Sequence, residues 1–429
     1  MDVRTPAGWL EHHAEATPDA VALVFSDGTV TFGQLMDQVH RRASSLRSEV
    51  ASHDLVPVPV RLDFASIIEI LAHHVIGAVP LPYAGERPDP RVAKVPGAAL
   101  CVQTSGSSGD RRLVPLTTAN LSASLAASRS RLGTSSADTW LLCLPLDHIG
   151  GLSVVYRMIE AGGSVVVEPF GGGIGAAIDR ANPTIASFVP TMVHRLMRSD
   201  QERLASIGTL LVGGGPVAAG LTAETVRAGI RMTVSYGMTE TASQVATMRP
   251  GATQPRHGWV GEPLDGFDVV IAPDPGSLHG EGRIVVDGPA VFGGYLGEEP
   301  RSGPFVTSDV GVMDADGALV VLGRADEIVV TGGENVALPY VQETIADLPG
   351  VDEIAVVCVA DDEWGASVCA LVVSKRSLDA IREDAGRMLA RHEVPRQWAS
   401  ADAIPLLQNG KPDLAAIRSG FTRGRPSSG

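Results

Sequence analysis

The sequence predicts an α/β fold in which a large N-terminal domain of mainly parallel βα layers, with an antiparallel subunit, precedes a small α+β C-terminal domain. Between residues 98 and 234, short apolar runs alternate with helical patterns, which is typical of a buried parallel sheet. Residues 267–322 carry short strands joined by turns, with Asp314-Ala-Asp-Gly317 as a hairpin turn. The composition changes after Gly323-Arg-Ala-Asp326, where the smaller unit begins.

Hydrophobic periodicity predicts the individual elements in chain order. Before residue 98 it indicates a strand at 20–25, helices at 31–46 and 65–76, and an apolar run at 78–82. A loop rich in proline and charge follows at 84–97. The strands of the parallel sheet are predicted at 99–102, 140–144, 163–167, 185–189, 210–212 and 232–234. Later strands are predicted at 267–271, 282–286, 318–322, 354–359 and 368–373, with helices at 339–348 and 378–391.

Length and charge restrict the function. The chain has 429 residues, enough for two to three domains, and 44% of them are hydrophobic, which allows a large core. A net charge of −15 argues against a nucleic-acid-binding surface, which needs clustered basic groups. Only three of the 34 lysines and arginines are lysines: Lys94, Lys375 and Lys411. An anionic substrate must therefore meet locally placed cations or backbone amides.

Cysteine usage and hydropathy predict a soluble, cytoplasmic protein. The first twenty residues contain no apolar signal core, and no run of 18 apolar residues occurs, so we expect no membrane span. The cysteines lack metal-type spacing and lie in apolar runs, so we expect buried, reduced thiols. They are Cys101, Cys143, Cys358 and Cys369. Residues 422–429 read as a disordered tail.

A polar stretch, residues 235–246 (SYGMTETASQVA), follows the apolar run 230–234. It places several hydroxyl groups around one acid, Glu240, at the carboxyl end of a predicted strand. In open α/β sheets this edge is where ligands bind. Glu240 is either a ligand-binding acid or a solvated loop acid.

Two glycine-containing segments are candidates for binding a nucleotide. Residues 104–109 (TSGSSG) follow a predicted strand and could cradle phosphate through hydroxyls and exposed amides, with Arg111 and Arg112 supplying charge; the alternative is a plain flexible loop. The segment lacks the Walker spacing. The glycines of Gly213-Gly-Gly-Pro216 would let a ligand ring lie against the backbone.

A third glycine run, residues 171–176 (GGGIGA), is predicted to be a loop. It matches G-x-G-x-x-A, the pattern of a dinucleotide site. Such a site also needs an acid about 20 residues later, and none is present there. In addition, Pro183 ends the following helix early.

Three further residues have two interpretations each. His148 is a structural helix-entry histidine or a contact at a pocket mouth. Asp309 is a turn acid before a predicted hairpin or an acceptor for ribose hydroxyls. Lys411 is a solvated surface charge or a functional cation on a turn. No Ser-His-Asp arrangement or H-E-x-x-H pattern indicates hydrolysis.

Taken in order, seven segments resemble the adenylate-forming superfamily of acyl-CoA synthetases, adenylation domains and luciferases. They are residues 104–109, 145–151, 213–216, 236–240, 307–309, 323–326 and 410–411. In that family a carboxylate attacks the α-phosphate of ATP, pyrophosphate leaves, and a thiol, usually that of coenzyme A, displaces AMP. The resemblance therefore implies ATP, Mg²⁺ and coenzyme A as cofactor and substrates, and a small carboxylic acid as partner. Such chemistry needs alignment and charge neutralisation more than a side-chain nucleophile.

The resemblance also implies roles for individual residues. Thr239 contacts the α-phosphate, Glu240 holds Mg²⁺, and Lys411, on a mobile C-terminal lid, stabilises the transition state. Asp309 and Arg324 bind ribose, and Asp326 is the hinge. The triphosphate is assigned to Thr104, Ser105, Gly106, Ser107, Ser108, Gly109 and Arg112. The adenine side is assigned to Gly213, Gly214, Gly215, Pro216, Tyr236 and Gly237.

Within the superfamily the chain most resembles the o-succinylbenzoate–CoA ligases of menaquinone biosynthesis. Residues 145–153 (PLDHIGGLS), residues 235–246 and the compact length carry this likeness. It implies that His148, Ser243 and Gln244 line the acyl pocket. Residues 331–339 (TGGENVALP) fit the shorter members of the group.

The resemblance implies domains at residues 1–323 and 328–421, a hinge at 324–327, and a tail at 422–429. Three positions depart from the family pattern. Arg112 replaces the usual lysine, which changes a point charge into a fork. Asn335 stands where many acyl-CoA synthetases have an arginine. Pro339-Tyr340 stands where the family usually has two acidic residues.

Two alternatives remain at this stage. The acid could be another aryl or acyl substrate, loaded onto a carrier-protein thiol instead of coenzyme A. A protein of this fold could also bind nucleotide without catalysis, although the presence of Glu240, Asp309 and Lys411 argues against that. The oligomeric state does not follow from the sequence.

Overall fold

The fold is known from a computed structural model, which describes residues 5–90, 93–104, 111–252, 258–273, 281–325, 328–361, 364–407 and 412–423. Its helices are α1 Pro6–Ala16, α2 Phe32–Leu46, α3 Phe64–Val75, α4 Thr118–Leu132, α5 Ile149–Ala161, α6 Ile174–Ala181, α7 Pro190–Ser199, α8 Gln201–Ser206, α9 Ala219–Arg227, α10 Leu338–Ala346, α11 Leu378–Met388 and α12 Leu414–Arg423.

Strands in the N-terminal part are β1 Val21–Phe25, β2 Gly28–Thr31, β3 Leu55–Pro59, β4 Val79–Tyr83, β5 Ala98–Gln103, β6 Leu113–Thr117, β7 Thr139–Leu142, β8 Ser164–Val167, β9 Ile185–Phe188, β10 Thr209–Val212, β11 Met232–Met238 and β12 Ser243–Thr247. The remaining strands are β13 Trp259–Gly261, β14 Asp268–Pro273, β15 Gly282–Asp287, β16 Phe305–Met313, β17 Leu319–Arg324, β18 Ile328–Thr331, β19 Glu334–Ala337, β20 Val351–Asp361, β21 Gly365–Ser374 and β22 Gln397–Ser400.

An eight-stranded sheet forms the centre of the N-terminal part, in the order β12-β11-β10-β9-β7-β8-β1-β2. Its six inner strands are parallel, and one antiparallel strand closes each edge. The inner strands are short apolar runs because helices cover the sheet, as the sequence predicted. The carboxyl ends of these strands therefore share one edge, where ligands bind in such sheets.

Local capping defines where several helices begin and end. At the start of α2, the Thr31 side chain accepts a hydrogen bond from the Gln34 N–H, and the Gln34 side chain accepts one from the Thr31 N–H. Thr117 and Asn120 form the same reciprocal pair at the start of α4. Each such cap stabilises its helix by about 1 kcal/mol. Helices α4 and α5 end at Gly133 and Gly162, which adopt left-handed φ angles of 70° and 75°.

One prediction for the N-terminal part needs correction. The run at 99–102 belongs to β5, which pairs antiparallel with β6 outside the central sheet. Its apolar run resembles that of a parallel strand because β5 is buried on both faces: Leu100 and Val102 pack in the main core, and Cys101 packs in a separate cluster. The polar stretch 235–246 runs from the end of β11 through a short turn into β12, so it forms a β-hairpin with Glu240 in the turn.

A second, antiparallel sheet has the order β13-β17-β16-β15-β14. The hairpin turn at 314–317 is confirmed: the Gly317 N–H donates to the Asp314 carbonyl over 3.1 Å. Strand β16 was not predicted, because polar residues such as Thr307 and Asp309 interrupt its apolar pattern. Asp309 therefore lies within a strand rather than before a hairpin.

The C-terminal part is an α+β unit around β20, β21 and β22. Both faces of β20 are buried. Val356 packs in a cluster with residues of α10 and α11, whereas Val357 packs in another with residues of α12. Helix α12 was not predicted, and it runs to Arg423, so residues 422 and 423 of the expected tail are helical.

Charged contacts join this unit to helices α7 and α9. Arg198 lies 2.5 Å from Asp352, and Arg195 lies 3.5 Å from Glu353. The Gly220 N–H donates to Asp347 over 3.0 Å.

The four cysteines are free thiols, as predicted, and three of them are buried. Among the described residues, no helix is both long and apolar enough to cross a bilayer.

Candidate nucleotide and acid site

The β11–β12 hairpin places the polar stretch at the carboxyl edge of the central sheet. A one-turn 3-10 helix, Thr239–Thr241, joins the strands. The Thr241 hydroxyl holds this turn by donating to the carbonyls of Met238 and Ser243 over 3.0 and 2.9 Å. A side chain at Gly237 would overlap the Ser243 carbonyl, so the close approach of the two strands requires glycine there.

Tyr236, Asp309 and Arg324 come together beside this hairpin. The Tyr236 hydroxyl donates to Asp309 Oδ2 over 2.6 Å. Burial first, and then the Asp309 carboxylate, raise the pKa of Tyr236 well above its usual value, so the hydroxyl remains a donor. Asp309 faces Arg324 across β16 and β17. An aromatic ring and a carboxylate thus meet at one position, with Arg324 on the strand directly opposite, which suits a nucleoside.

The glycine run 213–216 lies beside the same strand. A Cβ atom at Gly213 would stand 2.8 Å from the Ser235 carbonyl oxygen, so the run can approach β11 only without a side chain there. Gly214 has a φ of 76°, which favours glycine. Residues 213–216 and Tyr236 therefore share one edge of the sheet, as the assignment to adenine requires.

Glu240 is held on the other side of the hairpin. Its Oε1 accepts from the Tyr295 hydroxyl over 2.8 Å, and its backbone carbonyl accepts from the Phe292 N–H over 2.8 Å. The Arg112 guanidinium lies 4.7 Å above the centre of the Tyr295 ring. Burial, followed by the Glu240 carboxylate, raises the pKa of Tyr295, so this hydroxyl also stays protonated.

The two ends of the Ser/Gly loop meet in the structure. The Thr104 N–H donates to the Arg112 carbonyl over 2.9 Å, and the Arg112 N–H donates to Thr104 Oγ1 over 3.1 Å. Arg112 therefore emerges next to the loop, as its assignment to the triphosphate requires. Ser105, Gly106, Ser107, Ser108 and Gly109 lie outside the described residues, as do Asp326 and Lys411.

Ser243 contacts a buried arginine that sequence reasoning missed. Arg157 Nη2 donates to Ser243 Oγ over 3.1 Å, and its guanidinium lies 5.4 Å from the centre of the Trp140 ring. Arg157 is only 4% exposed, and its Nε has no hydrogen-bond partner in the described chain. No described carboxylate lies within 4.0 Å of it. Burial lowers its pKa to about 9, which leaves it charged at neutral pH.

The turn beside Arg157 has an unusual backbone. Ala242 and Ser243 adopt φ angles of 51° and 110°, a region that L-residues seldom occupy. Such conformations often accompany binding sites, where surrounding contacts hold them.

Gln244 lies deeper than the acyl-pocket assignment implies. Its Oε1 accepts from Ser128 over 2.6 Å, and its Nε2 donates to Thr247 over 2.9 Å. It is 4% exposed, so both ends of its amide are occupied within the protein. Gln244 therefore supports β12 from behind.

His148 starts helix α5, which carries Arg157 two and a half turns later. It is the N-cap residue, but its side chain makes no capping bond to the helix; its Nε2 lies 3.8 Å from Asp147 Oδ2. A side chain at Gly151 would overlap the Pro145 carbonyl, so the loop packs tightly on the first turn. The segment 145–151 thereby fixes the direction of α5 and of Arg157.

Two residues of this site escaped sequence analysis, Arg157 and Tyr295. The signal for Arg157 was a single cation inside the otherwise apolar helix LSVVYRMI. Tyr295 gave no such signal, since a tyrosine after two glycines is typical of many loops. Among the described residues, no group of three or more His, Cys, Asp or Glu side chains is placed to hold a metal ion.

Comparison with known proteins identifies the family. Residues 85–296 match the AMP-binding enzyme family, and residues 340–411 match the AMP-binding enzyme C-terminal domain. The chain is 30% identical to the 2-succinylbenzoate–CoA ligase of Bacillus licheniformis, over 92% of this chain and 96% of that protein.

Solved structures agree with this. The o-succinylbenzoate–CoA synthetase of Bacillus subtilis, in complex with its acyl-adenylate intermediate, has a TM-score of 0.83 at 26% identity and covers 97% of this chain and 98% of its own. The same synthetase in complex with ATP and magnesium ion has a TM-score of 0.82 at 26% identity, covering 96% and 99%. The predicted superfamily and its closest branch are confirmed: the chain belongs to the AMP-binding enzymes and, among them, to the 2-succinylbenzoate–CoA ligase family.

Proposed function

We propose that this chain is an ATP-dependent ligase that joins 2-succinylbenzoate to coenzyme A. One carboxylate of the acid attacks the α-phosphate of ATP, and pyrophosphate leaves. The thiol of coenzyme A then attacks the acyl carbon and displaces AMP, giving the thioester. The protein's part is to align the reactants and balance their charges.

The observation that carries the substrate assignment is Arg157. A buried cation without an anionic partner is unfavourable in the free protein, because one hydroxyl and the face of the Trp140 ring compensate its desolvation only in part. 2-Succinylbenzoate has two carboxylates. When one is activated, the other can pair with Arg157 beside Ser243, which an acid with a single carboxylate cannot do.

The nucleotide would lie along the hairpin. Tyr236 and residues 213–216 suit adenine, and Asp309 with Arg324 suits ribose. Thr239 at the turn would meet the α-phosphate, and Thr104 with residues 105–109 and Arg112 would meet the other two phosphates. Backbone amides and one guanidinium would thus supply the attraction that a chain with few lysines needs.

Glu240 fits a magnesium ion. It offers an oxygen ligand of the kind Mg²⁺ prefers, and no described cation lies within 4.0 Å of its carboxylate to neutralise it. Mg²⁺ is commonly held by one or two carboxylates together with substrate phosphates. When bound, the ion would neutralise charge on the phosphates; Glu240's part is to hold it on the hairpin.

We further propose that residues 328–421 form the lid and residues 324–327 its hinge, with Asp326 at the pivot and Lys411 brought to the phosphates during adenylation. ATP and coenzyme A as substrates favour a cytoplasmic enzyme.

The decisive experiment measures pyrophosphate release and thioester formation with a panel of acids. We expect 2-succinylbenzoate to react fastest. The matched control, 4-oxo-4-phenylbutanoate, lacks only the ring carboxylate, and its kcat/KM should be lower by on the order of 10²-fold, the cost of leaving Arg157 unpaired. Preference for a simple benzoic or fatty acid would refute the substrate assignment. ATP binding without pyrophosphate release from any acid would indicate the non-catalytic alternative.

A further inference from the structure

Tyr295 lies between two opposite charges of the proposed ATP site. Its hydroxyl donates to the Glu240 carboxylate over 2.8 Å, and the Arg112 guanidinium lies 4.7 Å above its ring. The ring thus occupies the space through which Arg112 and Glu240 would otherwise meet. Within the part of the chain that the structure describes, the one carboxylate within 4.0 Å of Arg112 is that of Glu298, 3.8 Å away, where both side chains are more than half exposed and the attraction is weak.

The segment that carries Tyr295 is fastened to both charged elements. The Phe292 N–H donates to the Glu240 carbonyl over 2.8 Å, and the Leu296 N–H donates to the Leu113 carbonyl, next to Arg112, over 2.9 Å. The Phe292 ring packs edge-on against Tyr295 with centres 4.8 Å apart. The position of Tyr295 is therefore set by the same backbone bonds that set the distance between the two charges.

We propose that Tyr295 is a positioning residue that keeps Arg112 and Glu240 apart, so that Arg112 stays available to a phosphate and Glu240 to magnesium. The inference rests on the proposed roles of Arg112 and Glu240. If the ring were absent, the two side chains would pair with each other, because opposite charges at short range attract strongly in a partly buried site. That pair would withdraw a ligand from the metal and a cation from the triphosphate at the same time.

The test measures ATP binding by calorimetry with and without Mg²⁺, in the absence of any acid. The quantity of interest is the magnesium enhancement, the ratio of the Kd for ATP without Mg²⁺ to the Kd with it. We expect Tyr295→Phe, which keeps the ring, to retain the wild-type enhancement. In Tyr295→Leu the magnesium enhancement should fall about tenfold. The reason is that Arg112 would form a charge-assisted hydrogen bond to the Glu240 carboxylate and compete with Mg²⁺ for it.

A second substitution distinguishes this from simple damage to the fold. Adding Arg112→Gln to Tyr295→Leu removes the competing cation and should restore the enhancement, although ATP binds more weakly overall. Unchanged enhancement in Tyr295→Leu, or no restoration in the double variant, would overturn the inference while leaving the proposed function intact. If Tyr295→Leu does not fold, Tyr295→Met takes its place with the same outcomes. A wild-type chain that binds no ATP would overturn both proposals.

Discussion

Arg157 is the residue on which the substrate assignment depends. Most buried arginines in proteins are paired, and this chain contains a paired example for comparison. The Arg131 side chain is 8% exposed; it donates to the carbonyls of Thr247 and Pro263 and lies 3.4 Å from Glu262. Arg131 thus serves the structure, joining β12 to the segment after β13, whereas Arg157 contacts the Ser243 hydroxyl and the Trp140 ring but no described carboxylate.

The contrast gives a prediction at the residue scale. Arg157→Gln should lower kcat/KM for 2-succinylbenzoate by on the order of 10²-fold without loss of folding stability, because no anion is left unpaired in the free protein. Arg131→Gln should instead lower the free energy of unfolding by about 2 kcal/mol, since the carbonyls of Thr247 and Pro263 lose their donor, whereas Glu262 keeps its ion pair with Arg249. Urea unfolding and pyrophosphate-release kinetics on both variants check this. A marked stability loss in Arg157→Gln would mean that Arg157 is structural.

Packing between helices α3 and α5 gives the direction in which α5 presents Arg157. His74, in the last turn of α3, lies 2.8 Å from the Tyr156 hydroxyl, and the adjacent His73 lies 2.7 Å from the Glu69 carbonyl. Burial lowers the pKa of His74 to about 3 and also lowers that of His73. Tyr156 is next to Arg157, so this interface and the acid site share one turn of helix.

The interface should weaken in acid. Both histidines have a folded-state pKa below the unfolded value of 6.5, so the unfolded chain takes up protons first as the pH falls. The contribution of the two neutral histidines to the free energy of unfolding is therefore fully present above pH 6.5. It declines below that pH, by at most about 1.4 kcal/mol per pH unit for each histidine. His74→Gln should reduce the loss between pH 7 and pH 5, measured by urea unfolding. His40→Gln, on the exposed face of α2, should not; an equal effect of both changes would contradict this account.

At the scale of the whole molecule, the contacts of α7 with β20 hold the two parts of the chain in one arrangement. Arg195 and Arg198 pair with Glu353 and Asp352 at the surface. Exposed pairs of this kind contribute under about 1 kcal/mol and are screened by salt. If the C-terminal unit rotates as proposed, such pairs suit an orientation that is later released, because breaking them costs little.

We expect the double change Arg195→Gln with Arg198→Gln to separate the two half-reactions. The chain is similar as a whole to the synthetase with its bound acyl-adenylate, so loosening this arrangement should slow pyrophosphate release. Thioester formation from added acyl-adenylate should be unchanged or faster. Arg203→Gln, which breaks ion pairs with Asp179 and Asp200 inside the N-terminal part, is the control and should alter neither rate. An equal change in both rates would show that these pairs do not govern orientation.

The fold class, the order of most elements and the reaction family follow from the sequence alone. Strands that are buried on both faces have continuous apolar sequences, and these could be recognised as strands. The order of the motifs was enough to identify adenylate-forming chemistry. Local pattern was misleading at β5, whose buried side chains resemble those of a parallel strand, and at β16, whose polar residues interrupt the apolar pattern. Both errors arise because burial depends on neighbours that are distant in the sequence.

Which side chains face each other is known only from the three-dimensional structure. It joined Tyr236 to Asp309, Tyr295 to Glu240, and Arg157 to Ser243, pairs that are 55 to 86 residues apart in the chain. It also placed Gln244 in a buried network with Ser128 and Thr247. The reason is physical: a motif fixes the residues near one strand end, but charge compensation across a pocket depends on side chains from separate elements, which sequence spacing does not encode.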